Sequence, residues 1–242
     1  MNIIITGASR GIGKELVKRY INKASKIYAV ARDEEQLKKL AKMYDNVVPV
    51  ALDLANLDEV LKFSKDMSEK NIDMVIANAA ISLPHAPDFT PFDDFKKTFD
   101  INFLSVHALL NYIVPSMQKR KKGKIVLLSS LASLVGAPSS MPYSASKRAL
   151  NSYAQSLRNL LAKDNIKVIN ILPGFIKTDM TAKNDFYMPF LMDLERGVDR
   201  IMYAIEREKK EYAFPKRFYY LIKLFTLLPI DLQDKLLQKV SN

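Results

Sequence analysis

Short apolar segments alternate with longer segments of helical periodicity along most of the chain. The apolar segments are NIIIT, KIYAVA, VVPVAL, DMVIAN, KIVLLSS and KVINILP, and they are rich in valine and isoleucine, which favours strands. They are apolar throughout instead of alternating with polar residues, as is typical of strands buried on both faces. Strand–helix–strand alternation predicts an α/β fold, a doubly wound parallel sheet with helices on both faces.

The helical segments between these strands include KELVKRYINK, DEEQLKKLAKMY and LDEVLKFSKDMSEK. Two longer helices are predicted at about 93–118 and 143–162. No repeat, low-complexity tract or Gly/Ser linker interrupts the pattern, and 242 residues fit one large domain. We therefore expect a single catalytic domain over residues 1–210, followed by an extension over 211–242.

Composition excludes some kinds of site. Cysteine is absent and only two histidines occur, His85 and His107, so disulfides and thiolate sites are excluded and no metal centre is expected. The net charge of +11 could attract nucleic acid, anionic lipid or an acidic partner. Because no nucleic-acid-binding signature accompanies it, a solvated lysine-rich surface is the preferred interpretation. The N-terminus lacks the pattern of a signal peptide, which predicts a cytoplasmic protein.

A glycine-rich loop follows the first predicted strand and opens the first helix. Its sequence is TGASRGIG, residues 6–13, in which Gly7 permits a tight turn while Gly11 and Gly13 allow close approach of a phosphate and of the sheet. A helix N-terminus there offers free N–H groups to a pyrophosphate. The strand before and the helix after meet the context that a dinucleotide site requires.

Further candidate residues fall at the carboxyl ends of the later strands, where ligands bind in doubly wound sheets. Asp53 ends the third strand, Asn78 the fourth and Ser130 the fifth, while Pro173 and Gly174 end the sixth. Each alone has an ordinary explanation as a cap, a turn or a chain break. Their joint placement predicts one ligand-binding edge.

These motifs together resemble the short-chain dehydrogenases/reductases, in the form with a single Rossmann-like domain. The resemblance rests on TGASRGIG, on ANAA at 77–80, on Asn102 in DINF, on Ser130 in LLSS, on YSASK at 143–147 and on PGFIKT at 173–178. It covers about residues 2–210. One departure is that Asn78-Ala79-Ala80 stands where the family usually has Asn-Ala-Gly, and we expect cofactor binding to survive it.

The resemblance implies a carbonyl reductase or alcohol dehydrogenase with four catalytic residues. Tyr143 would be the general acid/base, and Lys147, one helical turn later, would supply a cation that lowers the tyrosine pKa and would hold the nicotinamide ribose. Ser130 would stabilise the charge that develops on the substrate oxygen. Asn102 would hold a water in the proton path to Lys147. A non-catalytic NADP(H)-binding redox sensor that acts through a partner is the alternative.

Cofactor choice depends on the residues after the second strand. Arg32 comes first and Asp33 second, and an arginine accommodates a 2′-phosphate whereas an acid binds the ribose hydroxyl. Arg10 in the glycine loop adds a second cation, and Asp33 is better explained as a helix N-cap with Gln36 three residues on. The sequence therefore favours NADP(H), with NAD(H) as the alternative. The expected cofactor-binding residues are Gly7, Ser9, Arg10, Gly11, Ile12, Gly13, Arg32, Asp53, Leu54, Asn78, Ala79, Tyr143, Lys147, Pro173, Gly174, Ile176 and Thr178.

A segment rich in methionine and aromatic residues, 179–193, would cover the substrate in this family, and flexible methionines suit an apolar pocket. Packing on the core is the alternative. The residues expected to line the pocket are Met141, Phe175, Phe186 and Met188. His85 could also approach the substrate.

The segment 215–229, PKRFYYLIKLFTLLP, is apolar almost all round, whereas a surface helix should have a polar face. It is too short to span a bilayer. It could dock on its own domain, form a subunit interface of a homo-oligomer (a dimer or tetramer), or lie peripherally on a membrane surface. The last arrangement would suit a lipid-like substrate.

Overall fold

The computed structural model describes residues 1–83, 89–136 and 138–241. His85, which the sequence analysis considered as a residue near the substrate, lies outside this part of the chain.

A seven-stranded parallel sheet forms the centre of the described chain. Its strand order is β3-β2-β1-β4-β5-β6-β7, which is doubly wound around β1 and β4. Proline lies within β3 at Pro49 and is tolerated there because β3 is an edge strand. The strands are β1 (Asn2–Thr6), β2 (Lys26–Ala31), β3 (Val47–Ala51), β4 (Met74–Ala77), β5 (Gly123–Leu128), β6 (Ile166–Pro173) and β7 (Glu211–Phe214).

Helices cover both faces of this sheet, as the sequence pattern predicted. Helices α1, α2 and α7 pack on one face and α3, α5 and α6 on the other, so that neighbouring strand residues such as Ile3 and Ile4 enter opposite cores. Burial on both faces explains why the strands are apolar throughout. The helices are α1 (Gly11–Tyr20), α2 (Glu34–Met43), α3 (Leu57–Ser68), α4 (Phe92–Phe99), α5 (Ser105–Arg120), α6 (Met141–Leu161), α7 (Leu194–Glu206), α8 (Lys216–Phe225) and α9 (Ile230–Ser241).

The helix predicted over 93–118 is interrupted. A π-helical turn, Asp100–Leu104, separates α4 from α5. Asn102 in this turn is fully buried and bonds the backbone of Ile81, which satisfies its amide. Such π-turns are frequent at functional sites.

The sheet continues past residue 210, where the sequence analysis placed the end of the catalytic domain. Strand β7 begins at Glu211 and pairs in parallel with β6 over four residues. The sequence of β7 shows no long apolar segment, because only two of its residues, Ala213 and Phe214, are buried.

The apolar segment at 215–229 forms α8 and the turn that follows it. One face of α8, made of Phe218, Tyr219 and Ile222, packs against a small core of Leu131, Leu172 and Ala213. Docking on its own domain therefore accounts for one face of the helix. Across the described residues, no helix combines the length and apolar character needed to cross a membrane.

Candidate active site

The glycine loop connects β1 to α1 at the centre of the sheet. Gly7 and Gly11 have positive φ angles of 69° and 51°, which glycine adopts without strain. A Cβ on Gly13 would lie 2.1 Å from the Gly7 carbonyl oxygen, so only glycine fits. Arg10 occupies the N-cap of α1 and makes no side-chain cap hydrogen bond, and the helix N-terminus there is suited to a pyrophosphate.

The loop is braced by Asn78 and Thr6. The Asn78 side-chain amide donates to the Thr6 carbonyl at 2.9 Å, and the Thr6 hydroxyl accepts from the backbone N–H groups of Asn78 and Ala79 at 3.1 and 3.0 Å. Asn78 thus fixes the loop, while the side chain of Ile12 packs towards the core. Ala80 has no positive φ angle, so its methyl group is compatible with the backbone.

The side chains after β2 and β3 lie at the same edge. Arg32 is exposed directly after β2, and Asp33 caps α2 by accepting from the Gln36 N–H at 3.0 Å, as the capping prediction required. Asp53, also exposed, accepts from the Ala55 N–H at 3.0 Å. Its neighbour Leu54 is buried.

Ser130, which follows β5, lies close to two residues of α6, Tyr143 and Lys147. The Lys147 ammonium nitrogen lies 5.8 Å from the centroid of the Tyr143 ring, and the Ser130 side chain is close enough to the Tyr143 phenol to lower its pKa. Ser130 itself accepts from the Ala132 N–H at 3.1 Å. The structure therefore brings together the serine, tyrosine and lysine that the sequence singled out.

Burial decides the ionisation of this group. Lys147 is 2% exposed, and burial lowers its pKa to about 7. Burial raises the pKa of Tyr143, and the Ser130 side chain offsets part of that rise. The direction is opposite to the lowering expected from a neighbouring lysine, because desolvation raises the Tyr143 pKa and the opposing contribution comes from Ser130.

Lys147 is held from the sheet side. Its Nζ donates to the Leu128 carbonyl at 2.7 Å, and its own carbonyl accepts from the Ser129 hydroxyl at 3.1 Å. Sequence reasoning missed Ser129.

Asn102 supports the same helix from the other side. Its amide donates to the Ser146 hydroxyl at 3.1 Å and to the Ile81 carbonyl at 2.9 Å. Ser146 in turn donates to the Tyr143 carbonyl at 2.8 Å. Both amide protons of Asn102 are used in these bonds, so the side chain positions α6 relative to the loop after β4. Sequence reasoning missed Ser146, although its hydroxyl lies inside the YSASK motif.

A chain of polar side chains reaches Ser130 from the interior of the sheet. The amide of Asn170 in β6 donates to Asn151 at 2.9 Å, and that of Asn151 donates to Ser133 at 2.7 Å. The Ser133 hydroxyl donates to the Ser130 carbonyl at 2.5 Å. Asn170 is fully buried, and its Oδ1 accepts no hydrogen bond. The signal in the sequence was a single asparagine inside an apolar strand.

The chain after β6 returns to the glycine loop. Pro173 ends β6, and the Gly174 N–H donates to the Phe214 carbonyl at 2.7 Å. Ile176 is buried and forms an isolated parallel bridge with Met192, which ties together the two ends of the segment between them. Thr178 lies against Gly11, with its methyl group 3.4 Å from where a Cβ would be.

The residues predicted to line the substrate pocket separate into two groups. Phe175 and Phe186 pack edge to face with ring centroids 6.0 Å apart, and Met188 accepts from Asn184 nearby in sequence. Met141 instead lines a surface hollow at the start of α6 with Pro138. Within residues 1–83, 89–136 and 138–241, no three histidine or acidic side chains are grouped so as to hold a metal ion.

The fold and the glycine loop define a nucleotide-binding protein of the Rossmann type. A family model described as short chain dehydrogenase matches residues 1–186. The chain therefore belongs to the short-chain dehydrogenase family and is an oxidoreductase.

Individual relatives agree with this assignment. An uncharacterized oxidoreductase of Myxococcus xanthus is 32% identical over 237 residues, which cover 96% of this chain and 94% of that protein. A fatty acyl-CoA reductase of Acinetobacter baylyi is 31% identical over 222 residues, or 87% of this chain and 74% of that protein. A short chain dehydrogenase from Burkholderia cenocepacia, solved in complex with NADP, has a TM-score of 0.77 and 26% identity, and covers 88% of this chain and 86% of that one.

Proposed function

We propose that this oxidoreductase is an NADP(H)-dependent carbonyl reductase or alcohol dehydrogenase that acts on an apolar substrate. The observation that carries the proposal is the meeting of Tyr143 with Ser130 and with buried Lys147, 5.8 Å from the phenol ring. A pocket for a nucleotide alone needs no such buried acid–base group.

In the reducing direction, Tyr143 donates its proton to the carbonyl oxygen of the substrate. Its raised pKa keeps the phenol protonated in the neutral range, so the proton is available. The Ser130 hydroxyl donates a hydrogen bond to the same oxygen and stabilises the charge that develops there. The nicotinamide, when bound, supplies the hydride or takes it up.

Lys147 is suited to connect the phenol with the cofactor ribose. Only one of its ammonium protons is used by the Leu128 carbonyl, and an ammonium has three. The remaining protons can hold a ribose hydroxyl and favour the phenolate that forms during turnover. Asn102 positions this helix through Ser146.

The glycine loop and two nearby arginines are suited to bind NADP(H). The positive φ angles of Gly7 and Gly11 give the loop the tight turn that a phosphate site at a helix N-terminus requires. The exposed Arg32 and Arg10 suit a 2′-phosphate. A neighbour at 26% identity was solved with NADP, which supports NADP(H), and NAD(H) is the alternative. The other residues proposed to hold the cofactor are Ser9, Ile12, Asp53, Leu54, Asn78, Ala79, Pro173, Gly174, Ile176 and Thr178.

Aromatic side chains support an apolar, lipid-like substrate. Phe175 follows Gly174 at the ligand edge and packs against Phe186, and we propose both, with Met188 and Met141, as pocket residues. One relative is named for a fatty acyl-CoA substrate, which is consistent with this class.

We also propose how the chain is divided into regions and how copies of it associate. Residues 1–210 form the catalytic unit, and 211–242 form an extension whose strand β7 completes the sheet. Tyr112 on α5, Leu160 on α6 and Leu104 in the π-turn before α5 are exposed, which supports a homo-oligomer formed through these helices.

The test is a screen of NADPH oxidation against ketones and aldehydes of increasing chain length, with Tyr143→Phe as the inactive control. We expect turnover that rises with chain length and is faster with NADPH than with NADH. Tight NADPH binding without turnover of any carbonyl would contradict the proposed reductase activity and favour a redox sensor.

A further inference from the structure

The outward face of α8 and the turn after it form an apolar surface. We define this outer α8 surface as Tyr220, Leu221, Leu224, Leu227 and Ile230. All five side chains are more than half exposed, and Leu227 is 80% exposed. Contiguous exposed apolar side chains of this kind mark interaction sites.

Packing on the domain does not explain these side chains. The face of α8 that contacts the domain consists of Phe218, Tyr219 and Ile222. A helix that only docked on its own domain would carry mainly polar residues on its other face, whereas on this face Arg217 shares helical spacing with three apolar side chains, at positions 220, 221 and 224. The outer α8 surface therefore indicates contact with something beyond the described chain.

The charged side chains of α8 indicate that its partner is anionic. Its three charged residues, Lys216, Arg217 and Lys223, are all basic and exposed. Lys216 and Lys223 lie over the Tyr219 ring at 5.5 and 5.8 Å, at the border between the packed and the outer face. Apolar side chains bordered by cations are typical of helices that lie in the interface of an anionic membrane. A second copy of α8 would bring the same three cations to the contact and is therefore a poorer electrostatic match.

Aromatic side chains connect this helix to the candidate active site. The Phe218 ring stacks on Phe175 with centroids 6.0 Å apart and contacts Phe190 at 5.9 Å. Phe175 directly follows Gly174 at the carboxyl end of β6. Phe190 has a φ angle of 57°, an uncommon and costly conformation for a bulky residue that is found at functional positions. A continuous row of aromatic side chains therefore connects α8 with the end of β6.

We propose that the outer α8 surface rests on an anionic lipid surface, and that the substrate passes between the membrane and the active site along Phe190, Phe218 and Phe175. The substrate class that fits is an amphiphile with a long apolar chain and a carbonyl or secondary alcohol. This inference rests on the proposed function, whose chemistry it leaves unchanged.

The test is co-sedimentation of the full chain with vesicles of phosphatidylcholine alone or mixed with phosphatidylglycerol. We expect binding to the mixed vesicles only, and loss of binding when salt is raised from about 0.01 M to about 1 M, which shortens the Debye length from about 30 Å to about 3 Å. Leu224→Ser should weaken binding about tenfold, and Arg217→Ser about fivefold.

Matched controls lie on distant helices. Met43, like Leu224, is 65% exposed, and Arg200 on α7 is exposed like Arg217. Met43→Ser and Arg200→Ser should bind the mixed vesicles as the wild type does. Equal loss in the controls would overturn the assignment of the surface, as would the absence of sedimentation with either vesicle.

Two further readouts separate the possible failures. If the outer α8 surface joins two copies instead, ultracentrifugation will show an oligomer that Leu224→Ser dissociates while vesicles bind neither protein, and the membrane proposal falls. With mixed vesicles, the KM for a long-chain ketone should fall in the wild type but not in Leu224→Ser. Turnover of a short water-soluble ketone reports on the proposed function alone, because it requires no membrane.

Discussion

Lys147 and Tyr143 lie one turn apart on α6, with the lysine nitrogen 5.8 Å from the centroid of the phenol ring. The described hydrogen-bond partner of that nitrogen is a neutral carbonyl, that of Leu128. Protonating a buried lysine amine costs free energy when no carboxylate lies within hydrogen-bond distance. This cost lowers the free energy of unfolding at pH values where Lys147 is charged, and the loss can be measured.

Burial of Lys147 should make folding stability depend on pH. Its pKa is about 7 in the folded protein and 10.5 as the ordinary value, so the unfolded chain binds more protons between these values and stability must rise with pH there. Relative to Lys147→Met, the wild type should gain free energy of unfolding, with a slope that approaches about 1.4 kcal/mol per pH unit between about pH 7.5 and about pH 9.5. Urea denaturation of both proteins at several pH values measures this difference.

The control for that series is Lys62→Met, a change at an exposed lysine of α3. Its difference from the wild type should stay constant with pH. A flat difference for Lys147→Met as well would mean that Lys147 is charged at little cost.

Gly13 should be irreplaceable in the glycine loop. An alanine Cβ would lie 2.1 Å from the Gly7 carbonyl oxygen, so the loop must shift. We expect Gly13→Ala to weaken NADPH binding at least about tenfold and to cost about 1–3 kcal/mol of stability, measured by fluorescence titration and thermal unfolding. Gly136→Ala meets no atom within 4 Å and should behave like the wild type. NADPH affinity that survives Gly13→Ala would argue against the loop as the phosphate site.

The amides of Asn170 and Asn151 should be energetically coupled. A double-mutant cycle with alanine at both positions should give a coupling of about 0.5–1.5 kcal/mol in stability, because each single change leaves a partner unbonded. Asn151→Ala should also lower kcat while leaving NADPH affinity unchanged, since the chain of bonds ends at the carbonyl of Ser130. Asn46→Ala, at a distant amide that bonds Ile21 and Ala24, should be additive with Asn151→Ala, and additivity of the first pair would refute the coupling.

Arg32 should determine cofactor preference. We expect Arg32→Ala to weaken NADPH binding about tenfold or more while NADH binding changes little, because a charged hydrogen bond to the 2′-phosphate is worth about 1.5–3 kcal/mol. Arg200→Ala, at an exposed arginine of α7, is the matched control. Tighter binding of NADH than of NADPH by the wild type would contradict this role of Arg32 and indicate that Asp33 binds the ribose hydroxyl.

The fold could be predicted from the sequence wherever a strand is long and buried on both faces. The six predicted strands all exist in the order that a doubly wound sheet requires. Strand β7 could not be predicted because only two of its four residues are buried. The π-turn around Asn102 was also hidden, since it depends on hydrogen bonds with Ile81, which is distant in sequence.

In the candidate site, too, some features could be predicted from the sequence and others could not. Ser130, Tyr143 and Lys147 could be found because the motifs that contain them resemble those of the short-chain dehydrogenases in order and spacing. The direction of the Tyr143 pKa shift could not, because it depends on how deeply α6 is buried against the sheet. The position of Met141 in a hollow at the start of α6 likewise depends on how the loop before α6 folds.

In the proposed reaction, Tyr143 provides the proton for hydride transfer at a bound nicotinamide. The most direct measurement is kcat with saturating NADPH and a ketone substrate for the wild type and Tyr143→Phe, with NADPH affinity measured on the same samples. We predict that kcat falls about 10²–10⁴-fold while NADPH affinity changes by less than about threefold. Turnover that survives the loss of the phenol would contradict the assignment of Tyr143 as the general acid.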